Sequence, residues 1–170
     1  MTEVTETHHE EFKSDVVKSM HGVFVVAHWL CVKKGLAVTV QPPKLAERHK
    51  DWKGSVDKGD IRCVNEQGQE FIVEAKHSSR NFTCAADWPF KEFIVCAKHA
   101  HDGKPEKPVA YIILSQDEQY LAIVRVANTE KDWFVKNLPD NRRPGYTQDF
   151  YLCAPVLVDF SHVNDEVKES

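Results

Sequence analysis

The chain has 170 residues and a formal net charge of −4 at pH 7, a length that favours one domain with a buried core over residues 1–170. Its ends, about residues 1–9 and 162–170, are predicted as flexible acidic tails. Residues 12–161 carry 21 basic and 19 acidic residues, and this near balance excludes a basic surface spread over the whole molecule. No apolar run reaches the roughly 18 residues of a membrane span and there is no basic-then-apolar leader, so we expect no membrane contact.

The cysteines form an odd set of five without a C-x-x-C pair: Cys31, Cys63, Cys84, Cys96 and Cys153. Buried free thiols in a reducing compartment explain this distribution better than a disulfide framework or a zinc cluster. We therefore expect a cytoplasmic protein with reduced cysteines.

The first predicted element is an amphipathic helix between about residues 10 and 34, where apolar residues recur at steps of three and four. Gly35 follows it and predicts a C-terminal cap. Residues 36–41 are then typical of a strand, which the Pro-Pro pair directly after it ends.

The segment 44–58 is basic, contains Trp52 and shows little apolar periodicity. One interpretation is a solvated loop. The other is a loop that grips phosphates and stacks on a base, which its position directly before Asp60 favours. In that case the candidate nucleic-acid contacts are Arg48, Lys50, Lys53 and Lys58.

A β-hairpin is predicted next, because residues 59–64 and 69–77 are rich in Ile, Val, Phe and Cys and the turn-forming Asn65 and Gly68 lie between them. Side chains alternate across a strand, so Glu74 and Lys76 share one face of an otherwise apolar strand. Charged side chains are rarely buried without a partner. Either something compensates this pair, or it is incidental to a surface hairpin.

Asp60 begins the first strand of this hairpin, and pairing brings its carboxylate toward Glu74. Converging carboxylates repel each other unless a cation lies between them, which is the arrangement of a Mg²⁺ site. We therefore expect that in the metal-free protein removal of either carboxylate leaves stability unchanged or slightly higher.

After a loop at 78–86, Asp87 and Pro89 predict the start of a helix that ends near residue 101. Lys91 and Lys98 are seven residues apart and would share one face of it. They are either phosphate contacts or ordinary surface lysines.

Three more strands are predicted at 109–115, at 120–126 and, as an edge strand, at 155–160. Residues 129–136 predict a short amphipathic segment with Trp133 and Phe134 packed inward, and 137–147 a loop.

The pattern of Asp60, followed fourteen positions later by Glu74-x-Lys76 on an apolar strand, resembles the PD-(D/E)XK nuclease superfamily, with Gly59 where the family name has Pro. The order of helix, strand, hairpin, helix and strands is also similar to the family's from about residue 10 to residue 160. Small phage-encoded nucleases and Holliday-junction resolvases are most alike in pattern. The resemblance implies an α/β fold with a restriction-endonuclease-like mixed central sheet flanked by helices.

The resemblance also implies a metal-dependent nuclease that hydrolyses phosphodiester bonds of DNA, with an endonuclease favoured. Asp60, Glu74 and the backbone carbonyl of Ala75 would bind Mg²⁺ or Mn²⁺. Lys76 would orient the attacking water and stabilise the transition state. The implied partners are DNA and a second copy of the chain, in the host cytoplasm if the protein is phage-encoded. The alternative is a catalytically silent nuclease-fold accessory factor that binds nucleic acid or protein.

One departure concerns the first helix, where resolvase-like members carry a Glu about three turns before the Gly that ends it. The matching position falls near Phe24, and His21 and His28 lie on the same helix face without an acid. The ligand is absent, or the helix enters in another register, or a histidine replaces it and favours Mn²⁺. Simple packing of both histidines in the core is the other interpretation.

Overall fold

The chain forms a mixed α/β arrangement of helices with a six-stranded and a three-stranded sheet. This is a computed structural model, and the residues it describes are 19–41, 60–140 and 144–165. The basic segment 44–58, with its four candidate contacts, lies outside them. For the described residues, the predicted α/β class with a mixed sheet is confirmed.

The elements agree with the predicted order as far as the hairpin and differ from it after residue 86. In chain order they are α1 (19–34), β1 (Ala37–Val40), β2 (Ile61–Val64), β3 (Glu70–His77), β4 (Phe93–Ala97), α2 (Lys98–Asp102), β5 (Ala110–Leu114), β6 (Tyr120–Arg125), α3 (Val126–Thr129), a 3₁₀ turn at Glu130–Asp132, β7 (Phe134–Pro139), β8 (Thr147–Cys153), a 3₁₀ turn at Pro155–Leu157 and β9 (Asp159–His162).

The large sheet has the strand order β1-β2-β3-β5-β6-β9. Strands β3 and β5 pair in parallel, and the other neighbours pair antiparallel. The three strands predicted first therefore share one sheet, as expected. At the far edge β9 runs to His162, and the Val163 N–H donates to the Gln119 carbonyl at 2.9 Å. Residues 162–165, the described part of the predicted tail at about 162–170, thus include the last residue of β9.

Helix α1 covers one face of the large sheet. Its buried residues Val23, Val26, Ala27 and Leu30 follow the three- and four-residue spacing and pack in one cluster with Val73 and other sheet residues. The helix ends at Gly35, which has φ +66° and donates its N–H to the Cys31 carbonyl at 3.1 Å. A non-glycine residue would be strained in this left-handed cap.

The opposite face is covered by the three-stranded sheet, whose order is β4-β8-β7. The predicted helix over 87–101 is wrong, because residues 93–97 form β4 and only Lys98–Asp102 is helical. Strand β4 pairs with β8, which begins where a loop was predicted to end. Pairing between segments more than fifty residues apart decides the conformation, and local helix signals do not report it.

The amphipathic segment predicted at 129–136 is a turn followed by β7. Trp133 packs against the second core cluster as expected. Phe134 lies on an edge strand and stays 41% exposed, so the prediction that it packs inward is wrong. Among the described residues, no helix has both the length and the apolar character needed to cross a membrane.

Candidate active site

The three predicted site residues lie at the end of the β2–β3 hairpin. Glu74 and Lys76 project from β3 on the face opposite α1, because the alternate residues of β3 belong to the α1 cluster. The hairpin register, continued by one residue beyond β2, brings Asp60 opposite Glu74. Since β3 is an inner strand and Glu74 is buried, the alternative of an incidental pair on a surface hairpin is wrong.

Asp60 is held by the backbone of both neighbouring strands. Its Oδ2 accepts a hydrogen bond from the Ala75 N–H at 2.8 Å, and its carbonyl oxygen accepts one from the Gln41 N–H at 2.8 Å. A carboxylate that accepts a backbone N–H makes a charge-assisted bond, which is stronger than a neutral one. Its charge is therefore fixed at the strand end beside Glu74.

Glu74 is neutralised by a residue that the sequence did not single out. Lys104 Nζ lies 2.7 Å from Glu74 Oε1, and the two side chains are only 9% and 7% exposed. The contact is an ion pair rather than a hydrogen bond, because no donor among the described residues reaches Oε1 with hydrogen-bond geometry. Lys104 follows α2 in sequence and lies thirty residues from Glu74, so no local pattern marks it.

These contacts bear on one expectation from the sequence. Removal of a carboxylate leaves the stability of the metal-free protein unchanged or slightly higher only if the carboxylates lack partners that compensate them. Asp60 has the Ala75 N–H and Glu74 has Lys104. Removal of Glu74 breaks its buried ion pair with Lys104, and we expect this to destabilise the protein.

Lys76 points into the space between the two sheets. Its Nζ donates to the Val95 carbonyl at 3.2 Å and lies 5.6 Å from the centroid of the Tyr111 ring. Desolvation of the ammonium lowers the pKa of Lys76, and the charges of Glu74 and Asp60 oppose that shift. The side chain keeps solvent-exposed surface, so the desolvation of its ammonium is incomplete.

Hydrogen bonds of the buried His101 hold the Tyr111 side chain in place. The Tyr111 hydroxyl lies 2.7 Å from His101 Nδ1, and His101 Nε2 lies 2.9 Å from Glu130 Oε1. Burial is the main reason that the pKa of Tyr111 is raised well above its usual value, so this hydroxyl stays protonated. The network fixes the ring over which Lys76 lies, and no local sequence pattern marks its residues, which are far apart along the chain.

Asp60 and Glu74 suit a metal that takes few protein ligands. Mg²⁺ binds through one or two carboxylates and completes its shell with water and substrate phosphate. Glu74 Oε1 is buried, accepts no hydrogen bond and already faces a cation. Within the described residues there is no group of three or more His, Cys, Asp or Glu side chains able to hold a metal. Two carboxylates are compatible with the few protein ligands that Mg²⁺ needs, and Mg²⁺ or Mn²⁺ with the Ala75 carbonyl as a further ligand stays a prediction.

The structure does not bring His21 or His28 to the acidic pair. His21 Nε2 lies 3.0 Å from Glu118 Oε2 in the β5–β6 turn, and the His21 side chain is 67% exposed. His28 is also exposed and lines a small cavity between α1 and Asn164. Core packing of both histidines is therefore wrong. Both belong to α1, which packs on the face opposite Glu74.

Lys91 and Lys98 do not share a helix face, because the helix predicted around them does not form. Lys91 is an exposed residue in the irregular segment before β4. Lys98 forms an ion pair with Asp102, and the hydrogen bond in this pair raises the pKa of Lys98. Its Nζ also lies 5.6 Å from the Tyr151 ring, so its charge is engaged within the protein.

Similarity to known proteins does not assign the chain to a family. No family profile, no curated protein and no solved structure matches it. The resemblance to PD-(D/E)XK nucleases therefore depends on Asp60, Glu74, Lys76 and the order of the elements as far as the β2–β3 hairpin.

Proposed function

We propose that the chain is a Mg²⁺- or Mn²⁺-dependent nuclease that hydrolyses phosphodiester bonds of DNA. The observation that carries the proposal is the buried Glu74 carboxylate, next to Lys76 on one sheet face and opposite the fixed carboxylate of Asp60. The order of α1, β1, the β2–β3 hairpin and β5 supports a restriction-endonuclease-like fold. By analogy with resolvase-like nucleases, two copies would pair to cut two strands.

Each of the three side chains has a separate task in this proposal. Asp60 and Glu74, with the Ala75 carbonyl, would hold the metal, which when bound polarises the scissile phosphate and lowers the pKa of a water. Lys76 has three N–H donors, of which one hydrogen bonds to the Val95 carbonyl. The other two can orient the attacking water and stabilise charge on the transition state.

A second candidate is an accessory protein that has this arrangement without the chemistry. The observation in its favour is Lys104, whose ammonium compensates Glu74 without any metal. In that case the Glu74–Lys104 pair serves the fold alone. The protein would then act by binding nucleic acid or another protein.

A cleavage assay separates the two candidates. Purified protein is incubated with supercoiled, linear, branched and single-stranded DNA and with RNA, in Mg²⁺, in Mn²⁺ and in EDTA. We expect metal-dependent cleavage of at least one DNA substrate, its loss in Glu74→Gln, and its retention in Lys34→Met, which changes an exposed lysine of α1 on the other face of the sheet. The nuclease proposal fails if no substrate is cut with either metal, or if Glu74→Gln cuts as well as the wild type.

A further inference from the structure

The loop between α2 and β5 carries Lys104 onto Glu74. The side chain of Lys104 is 9% exposed, its Nζ lies 2.7 Å from Glu74 Oε1, and its backbone N–H donates to the His101 carbonyl at 3.2 Å. The loop thus supplies a positive charge at the oxygen that the proposed metal would use. The inference below rests on the proposed function, because it concerns how that site accepts its metal.

Other contacts of the loop position Lys104 independently of Glu74. Glu106 Oε2 lies 3.2 Å from Arg62 Nη2 on β2, and Lys107 Nζ donates to the His101 carbonyl. At the end of the loop the Val109 N–H donates to the Ile72 carbonyl at 2.8 Å. The loop is therefore attached to β2, β3 and α2, and it would stay in place if Lys104 left Glu74.

A divalent ion and Lys104 compete for the same carboxylate oxygen. Glu74 Oε1 is buried and has no other donor among the described residues. Two cations at one buried carboxylate repel each other strongly, because the surrounding protein screens charge less than water does. We propose that Lys104 is the resident counter-ion of Glu74 and that it leaves Glu74 when a divalent metal binds.

Two consequences follow from this exchange. The Lys104 ammonium lowers the apparent affinity of the site for metal, because metal binding must break a buried ion pair. Lys104 becomes accessible to solvent or substrate only when metal is present. A lysine that serves the fold alone would show neither effect.

The first test is a calorimetric titration of the protein with Mn²⁺. Lys104→Met keeps an unbranched side chain without the charge, and it should bind Mn²⁺ about tenfold or more tightly than the wild type. Lys34→Met changes an exposed lysine of α1, on the other face of the sheet, and should bind Mn²⁺ like the wild type. Glu74→Gln should bind no Mn²⁺ at this site.

The second test uses the wild-type protein, so it does not depend on whether a variant folds. Lysines are acetylated briefly with an amine-reactive ester, with and without Mn²⁺. The extent of acetylation at each lysine is then quantified by mass spectrometry of the peptides. We expect Lys104 to be protected without metal and to react several-fold faster with it. Lys107 serves as the internal control and should react at the same rate in both conditions.

The outcomes distinguish this inference from the proposed function. Equal Mn²⁺ affinity of the wild type and Lys104→Met, with binding still lost in Glu74→Gln, overturns the exchange and leaves the metal site intact. An unchanged acetylation rate of Lys104 in Mn²⁺-saturated wild type also overturns the exchange and leaves the metal site intact. If neither the wild type nor Lys104→Met binds Mn²⁺ more tightly than Glu74→Gln does, both the exchange and the proposed metal site are overturned.

Discussion

The Glu74–Lys104 pair allows a quantitative prediction for the metal-free protein. The pair joins a carboxylate and an ammonium at 2.7 Å with both side chains less than 10% exposed. Breaking a buried pair leaves one charge uncompensated, which typically costs about 3–5 kcal/mol, whereas replacing both partners by neutral residues is often close to neutral. We expect Glu74→Gln and Lys104→Met each to lower the free energy of unfolding by about 3 kcal/mol.

The double variant should lose about 3 kcal/mol or less in total, which gives a coupling free energy of at least about 3 kcal/mol. The assay is urea unfolding in EDTA for the wild type, both single variants and the double variant. EDTA is needed because bound metal would stabilise some of these proteins and not others.

An exposed pair provides the matched control. Lys136 Nζ and Glu92 Oε2 are also 2.7 Å apart, but their side chains are 49% and 35% exposed. The cycle of Lys136→Met and Glu92→Gln should give a coupling below about 1 kcal/mol, as is usual for surface pairs. If the Glu74–Lys104 coupling is no larger than this control, the reasoning from burial is refuted.

Three further predictions concern the surroundings of the site. Asp60→Asn should change the free energy of unfolding by less than about 1 kcal/mol, because the amide oxygen can accept the same backbone N–H. The variant should nevertheless abolish metal-dependent cleavage. A loss of more than about 2 kcal/mol of unfolding free energy in urea would contradict this prediction. Tyr111→Phe leaves buried His101 Nδ1 without its partner and should cost about 1–3 kcal/mol in the same assay, so an unchanged stability would count against the network. Cys84 is exposed, and a hydrogen bond from the Asp87 backbone N–H lowers the pKa of its thiol. Its larger thiolate fraction near pH 7 should make it the fastest thiol to react with a disulfide reagent. Cys84→Ser should remove this fastest phase of the reaction.

The first half of the described fold was predictable because its signals are local. Helix α1 has an apolar stripe at helical spacing and a glycine cap, and the β2–β3 hairpin has alternating apolar runs around an Asn–Gly turn. Hairpin register follows from these features, so the approach of Asp60 to Glu74 followed as well. The charges on β3 also indicated correctly that a compensating group was needed.

The segment around Asp87 shows why the later prediction failed. Asp87 is a common residue at helix starts, but here its carboxylate accepts the backbone N–H groups of Thr83 and Cys84 in the preceding turn at 2.9–3.0 Å. The hydrogen bond from the Thr83 hydroxyl is the main reason that the pKa of Asp87 is lowered. The residues that follow join β8, a partner far along the chain. The same limit applies to Lys104, which reaches Glu74 through tertiary structure alone.

The most direct test of the central claim is single-turnover cleavage of DNA in Mn²⁺ by the wild type, Lys76→Met, Lys76→Arg and the α1 control Lys34→Met. Lys76→Met loses the charge, and Lys76→Arg places a planar group where a compact ammonium contacts the Val95 carbonyl and the Tyr111 ring. We predict that both Lys76 variants lose at least about 100-fold in rate while still binding Mn²⁺, and that Lys34→Met matches the wild type. Cleavage by Lys76→Met at the wild-type rate would contradict the assignment of this site.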